Sequence, residues 1–154
     1  MAFETRRGTQ GARQPGGRLL AFANRMTMRR IRSGKTKLGG GAQGLVLTTV
    51  GRKTGVERQT PLQFFPDDRP DSWLIVASAQ GAAGNPAWYY NVGAHPDQVR
   101  IELGARTVDV TAEQLTGAER AAAWARISGS SPRFAQHQKK TDRELPVIRL
   151  TPRA

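Results

Sequence analysis

The sequence predicts an α+β protein whose sheet closes, or half closes, into a small barrel. From residue 44 onward the chain breaks into short β-branched segments: GLVLTTV (44–50), RQTPLQFF (58–65), WLIVAS (73–78), VRIEL (99–103), RTVDVT (106–111) and PVIRL (146–150). Most connections between them are short, which favours antiparallel pairing, and Gly104-Ala105 is the Gly-X signal of a type II′ hairpin. Two helical pieces interrupt the strands. One is NPAWYYNVG after Asn85, with Pro86 expected at the first helical position; the other is TAEQLTGAERAAAWARI, where Leu115, Ala122, Trp124 and Ile127 suggest a packed face. Several strands and two or three helices in so short a span point to a sheet curled around one core.

The N-terminal region reads differently. Residues 1–17 are rich in Gly, Gln and Arg and poor in large apolar groups, so burial offsets little of the entropy lost on ordering, and a disordered basic arm is expected there. Residues 18–154 are expected to form a single domain. It starts with a basic amphipathic helix, residues 18–32, in which Leu19, Phe22, Ala23 and Met26 recur at i, i+3, i+4 and i+7. Three readings of that helix stand side by side: packing on the domain with its arginines in water, contact with an anionic membrane surface, or a mitochondrial-type transit peptide.

Composition removes several chemistries. The chain has no Cys, hence neither disulfides nor thiolate catalysis, and with only His95 and His137 it has little from which to build a zinc or iron site; no metal is expected. The net charge of +12 looks like a nucleic-acid signature, but residues 1–37 hold ten basic residues against Glu4 alone. The remainder is close to balanced, so no nucleic-acid partner is expected. No run reaches the roughly 18 apolar residues of a membrane span, and the N-terminus lacks the apolar core of a secretory signal. A cytoplasmic protein is expected, with the basic helix a candidate for peripheral contact at the inner face of the cell membrane. The oligomeric state is not encoded in any pattern of the sequence.

Two nucleotide-like motifs fail on context. GGGAQG (39–44) satisfies G-x-G-x-x-G but follows a polar linker and opens a strand, whereas the dinucleotide fingerprint follows a strand and opens a helix. SGKTK (33–37) lacks the leading P-loop glycine, its place being taken by Arg29. No G-x-S-x-G occurs, so hydrolase chemistry is unsupported.

Two other stretches carry chemistry. In TTVGRKTGVERQTPL (48–62), Arg52, Lys53 and Arg58, with the hydroxyls of Thr54 and Thr60 and the local amides, could surround a phosphate or carboxylate; a solvated hairpin tip is the competing reading. In VASAQGAAGNPAWYYN (76–91), small residues end a strand and the aromatics Trp88, Tyr89 and Tyr90 follow. A flat ring could lie against the small residues, or the aromatics could simply be core. A ring slot beside an anion-binding turn is what a phosphorylated flavin-like cofactor needs.

The segments LVLTTVGRKTGVERQTPL, IVASAQGAAGNPAWYYNVGAHPDQVRIELG and TDRELPVIRL closely resemble the deazaflavin (coenzyme F420)-dependent nitroreductase and quinone reductase family of actinobacteria. The likeness runs from about Gly44 to Leu150 and rests on T-x-G-R-K-[ST]-G, x-T-P-L, A-S-x-x-G and N-P-x-W-Y-x-N-x-x-A-x-P in that order. It implies a split β-barrel like that of the FMN-binding pyridoxamine-phosphate oxidase relatives. It also implies reduced F420 as hydride donor to a quinone, nitroaromatic or other electron-poor small-molecule acceptor. An FMN-binding reductase and an F420 carrier with little turnover are the alternatives.

Carried onto this sequence, the resemblance implies that Arg52, Lys53, Thr54 and Arg58 hold the phosphate and polyglutamate tail. Gln59, Thr60, Pro61, Leu62, Gln63, Val76, Ala77, Ser78, Ala79, Ala87, Trp88, Tyr89, Tyr90 and Asn91 would line the deazaflavin, with backbone groups near Ser78 hydrogen-bonding its ring and Phe134 closing the substrate side. Gln63, Ser131, Phe134 and His137 would form the substrate wall, and Ser78 or His137 would supply the proton. In the family's prodrug-activating nitroreductase, Gln63, Ser131, Phe134 and His137 are all matched by Tyr and Ala79 by Lys. The wall here is less aromatic and has fewer donors, which argues against bicyclic nitroimidazoles while sparing hydride transfer itself.

Overall fold

The computed structural model describes residues 3–38 and 42–153. Its strands are β1 (Gln43–Val50), β2 (Glu57–Pro66), β3 (Trp73–Val76), β4 (Val99–Leu103), β5 (Arg106–Gln114) and β6 (Val147–Pro152). They close in the order β1-β2-β3-β6-β5-β4, every pair antiparallel, which makes the expected α+β barrel. The helices are α1 (Arg18–Arg32), α2 (Ala87–Ala94), α3 (Gly117–Ser130) and α4 (Pro132–Lys139). Residues 39–41 of the GGGAQG motif lie outside the described residues, and its last two positions open β1.

Alternation along the strands explains the layers. Trp73 and Ile75 of β3, Ile148 and Leu150 of β6, and Leu45 and Leu47 of β1 meet in the barrel interior, where Trp88, Tyr89 and Val92 of α2 join them. The opposite faces of β3 and β6 present Leu74, Val76 and Val147 to Ala123 and Ile127 of α3 and Phe134 of α4. Strand β1 is covered on its outer face as well, by Met28 and Ile31 of α1 against Val46. The outward Arg149 of β6 is only 3% exposed and is held by Asp67 at 2.5 Å and Glu119 at 2.6 Å. Gly104 has φ 63° while Ala105 keeps a negative φ, as a type II′ turn requires and a type I′ turn does not allow.

Three local expectations are corrected. The helix anticipated from Thr111 begins only at Gly117: Thr111 to Gln114 extend β5, where Thr111 pairs with Thr151 and Gln114 with Ile148, and the ladder overrides the Ala-rich propensity. Pro86 caps α2 in an extended conformation (ψ 155°) instead of forming its first turn. Helix α4 was not foreseen, although Ser131 followed by Pro132 is the cap-and-first-turn signature of a helix start.

The amphipathic stripe of α1 also faces the other way. Leu19, Phe22 and Met26 are 87%, 57% and 44% exposed, and the helix is anchored through its C-terminal half by Met28, Ile31 and the fork of Arg32 on Glu102 at 2.9 and 3.0 Å. Residues 3–14, expected to be disordered, run as an extended strap along the body. Main-chain bonds join Gly8 N–H to Ala83 O (2.8 Å) and Ala12 N–H to Gly81 O (2.9 Å). The Asp142 carboxylate accepts from the amides of Thr9 and Gln10, at 2.8 and 3.2 Å. Composition missed this because main-chain bonds, the polar contacts of Thr5 and close approach hold most of the strap, with Phe3 against Tyr89, 5.7 Å between centroids, as its large apolar contact. A Cβ on Gly11 would sit 2.3 Å from Ala83 N, a separation only glycine permits.

Candidate functional site

The turn between β1 and β2 is closed by Gly51 N–H to Val56 O and Gly55 N–H to Gly51 O, both 2.8 Å. Its single acid, Glu57, is turned aside onto Arg100 at 3.3 Å. Among the described residues Arg52, Lys53 and Arg58 therefore pair with no carboxylate. Helix α2 braces the turn from below: Asn91 Oδ1 accepts from Arg52 N–H at 3.1 Å, and Asn91 Nδ2 donates to Thr49 Oγ1 at 3.4 Å. The Arg52 guanidinium lies over the Tyr90 ring, 4.7 Å from its centroid. These groups open onto a cleft of about 480 Å³ lined by Arg52, Lys53, Thr54, Arg58, Gln59, Thr60, Ala87, Trp88 and Asn91.

A second cavity of about 540 Å³ adjoins the first, sharing Thr60, Ala87 and Trp88 with it. Its walls include Pro61, Leu62 and Gln63 of β2, Val76, Ser78 and Ala79 at the end of β3, and Phe134 and His137 of α4. Phe134 is 5% exposed and sits edge-on to Phe65 (5.4 Å between centroids) and His137 (5.5 Å). His137 is buried and its Nδ1 has no hydrogen-bond partner. Burial, with Arg133 and Lys140 adding like charge, pushes its pKa below the ordinary histidine value, which keeps the ring neutral at neutral pH. Arg133 Nη2 donates to Gln63 Oε1 at 2.8 Å, bridging β2 and α4 across the rim.

Most of the sequence-predicted site residues thus gather along one continuous groove, and four do not line it. Ala77 and Tyr89 are fully buried in the barrel core, where Tyr89 donates through its hydroxyl to Gln114 Oε1 at 2.6 Å. Tyr90 supports Arg52 from outside the cavity. Ser131 joins α3 to α4, donating its N–H to Ile127 O and accepting from Phe134 N–H. Sequence reasoning missed the wall contributed by the N-terminal region: Gln14, Pro15, Leu20, Asn24, Thr27 and Leu38. Leu20, Asn24, Thr27 and Ile31 share one helical face at i, i+4, i+7 and i+11, but two of the four are polar, so a search for apolar stripes passes over them.

The groove suits an elongated ligand with an anionic end and a flat ring. Three uncompensated cations stand at one end, and Pro61, Leu62, Val76 and Trp88 make the other end apolar enough for a heteroaromatic. The arrangement fits F420, whose phosphate and polyglutamate would meet the turn and whose deazaflavin would enter the cavity.

Comparison with known proteins agrees with this geometry. An F420H(2)-dependent quinone reductase of Mycobacterium tuberculosis strain H37Rv is 36% identical over 120 residues, which span 76% of this chain and 78% of that protein. The solved structure of an F420-H2 dependent reductase, FDR-A, superposes with a TM-score of 0.62 at 35% identity, covering 70% of this chain and 92% of that one. Another solved chain, described as a domain-swapped dimer, gives a TM-score of 0.63 at 31% identity over 86% of this chain and 99% of its own. The family model for F420H(2)-dependent quinone reductases matches residues 23–152, and the chain belongs to that family.

Proposed function

We propose that the protein is an F420H2-dependent oxidoreductase that passes hydride to a quinone, a nitroaromatic or another electron-poor unsaturated compound. The observation that carries this reading is the junction of an uncompensated cationic turn and a ring-sized cavity across the shared residues Thr60, Ala87 and Trp88. The family supports F420 in place of the FMN alternative.

Bound F420H2 supplies the hydride. Arg52, Lys53 and Arg58 would neutralise its anionic tail, with the Arg forks and the Lys point charge dividing the work. Trp88 and Leu62 would hold the ring, and Phe134 with the Arg133–Gln63 bridge would narrow the acceptor side and exclude water. A quinone that takes one hydride also needs one proton. Ser78 is one of the hydroxyls on the cavity wall, with Thr27 and Thr60, and neutral His137 is a further group placed to hold a proton or steady the acceptor oxygen.

Two measurements test this reading. A fluorescence titration with F420 should saturate, whereas FMN should not compete. Stopped-flow mixing of the F420H2-loaded protein with menadione should oxidise the cofactor far faster than in free solution. Oxidation no faster than the uncatalysed rate rules out the reductase and leaves a carrier.

The cellular position follows as a finer proposal. The protein works in the cytoplasm with α1 against the anionic inner face of the membrane, near lipid-dissolved acceptors. Exposed Leu19, Phe22 and Met26 beside Arg18, Arg25 and Arg29 support this. Among the described residues no helix is long and apolar enough to cross a bilayer. Cosedimentation with anionic vesicles, lost in L19E/F22E, is the expected result; equal binding to neutral vesicles would reject it.

A further inference from the structure

The buried Arg143 is the most unusual charge in the molecule. It is 2% exposed, and among the described residues no carboxylate pairs with it. Its guanidinium is satisfied instead by oxygens of one segment: Ala77 O (2.9 Å), Ser78 O (2.8 Å), Ala82 O (3.2 and 3.1 Å) and the Asn85 side-chain oxygen (2.8 Å). Burial pushes its pKa below the usual arginine range, yet a guanidinium keeps its charge in a protein. A fixed positive charge therefore lies directly behind the bend that ends β3.

That bend is under backbone strain. Ala79 and Gln80 both have positive φ, 46° and 57°, a conformation that non-glycine residues adopt only when their surroundings impose it. The Arg143 fork ties the two flanks of the bend together: it gathers the carbonyls of Ala77, Ser78 and Ala82, of which an extended strand would point neighbours to opposite sides. The peptide unit is planar and trans, so each N–H points opposite the carbonyl of its own unit. With the carbonyls of Ala77 and Ser78 drawn to Arg143, the N–H groups of Ser78 and Ala79 face the other way. Neither has a protein acceptor among the described residues, and both residues line the cavity.

We infer that Arg143 is a positioning residue that holds the 77–82 bend so that the Ser78 and Ala79 amides face the cavity as a donor pair for the carbonyl edge of a flat heteroaromatic ligand. The inference deepens the proposed function and rests on it for the identity of that ligand as the deazaflavin. Adding a hydride to the oxidised deazaflavin puts negative charge on its pyrimidine carbonyl edge until a proton neutralises it, so that edge is more negative in the reduced anion than in the oxidised form. Two aligned amide dipoles with a cation behind them favour the more negative state. Arg143 therefore raises the affinity for the reduced form more than for the oxidised form.

Amide exchange read residue by residue, with F420 binding alongside, tests this. In the wild type without cofactor, the Gly81 and Ala82 amides, which donate to Ser78 O and Ala79 O, should exchange slowly and those of Ser78 and Ala79 quickly. Slow exchange at Ser78 and Ala79 overturns the inference whether or not F420 binds. Added F420 should slow those two amides at least tenfold; saturation without that change overturns it too. In R143K, which keeps the charge but loses the planar fork, Gly81 and Ala82 should exchange at least tenfold faster. Its dissociation constant for F420H2 should rise several-fold more than that for F420, moving the midpoint potential of the bound cofactor to more negative values. Unchanged exchange and an unchanged affinity ratio in a folded R143K overturn the inference. A wild type that binds neither form of F420 rejects the proposed function instead, and the cofactor-free exchange pattern still decides whether the clamp exists.

Discussion

The turn at 51–56 and the wall at 77–82 bound the same groove but are built in opposite ways. The turn is exposed, bonded chiefly to itself and to one asparagine of α2, and its cations Arg52 and Lys53, with Arg58 at the start of β2, are free to meet a ligand. The wall is buried at Ala77, Gly81 and Ala82, bent into positive φ at Ala79 and Gln80, and fixed by a guanidinium from a residue more than sixty positions away in sequence. A mobile, charged tail can be held by flexible point charges near water, where solvent screens them and affinity is salt-sensitive. A reacting ring has to be placed to within fractions of an ångström, which takes groups that packing has already immobilised.

Substitutions should separate the two regions. The largest effect is expected for Phe134→Ala on the wall side, which removes a buried ring packed against Phe65 and His137 and should cost about 3–5 kcal/mol of stability in chemical denaturation. A loss below about 1 kcal/mol would mean that the wall is not rigidly packed. Neutralising the turn with R52A/K53A should raise the F420 dissociation constant roughly 10- to 100-fold, the loss of one or two charge-assisted hydrogen bonds. The melting temperature should scarcely move, because surface changes of this kind stay within about 0.5 kcal/mol. Unchanged affinity would remove the turn from the site.

Asn91 ties the turn to α2. Asn91→Leu takes away the acceptor for Arg52 N–H and the donor to Thr49, and should cost about 1 kcal/mol in stability with a several-fold loss of F420 affinity at constant charge. The smallest effect is that of pH through His137. Its folded pKa lies below the ordinary value of 6.5, so the unfolded chain binds the proton more readily and stability falls as pH drops below about 6.5, until the lowered folded pKa is passed. Urea midpoints between pH 7 and pH 5 should decline less in H137Q than in the wild type. An equal decline in both would show that His137 is not the group responsible.

The same contrast governs how much of the molecule can be read from its sequence. The turn is legible because its cations, hydroxyls and glycines lie within fifteen residues and two alternating strands flank it. Strand β4 falls on the residues its pattern indicates, Val99–Leu103, because both of its edges are turns with their own chemistry. The wall is not legible in this way. Arg143 sits in a segment whose likeness to the family was visible, yet nothing local says that its side chain reaches Ala77, Ser78 and Ala82. Leu20, Asn24 and Thr27 form a cavity face that no hydrophobicity pattern marks, while the conspicuous stripe of Leu19, Phe22 and Met26 points to solvent.

Local chemistry alone set the alternation that closes the barrel, the hairpin at Gly104, the family likeness and the cationic make-up of the 48–62 stretch, since each depends on residues near one another in the chain. Tertiary structure alone decided that the arm lies down along 81–83, that β5 outruns an Ala-rich helix signal, that α1 anchors through Met28 and Ile31, and that Arg143 stands behind the bend at Ser78. These outcomes depend on which distant surfaces meet, and on satisfying backbone groups and a buried charge once they have met.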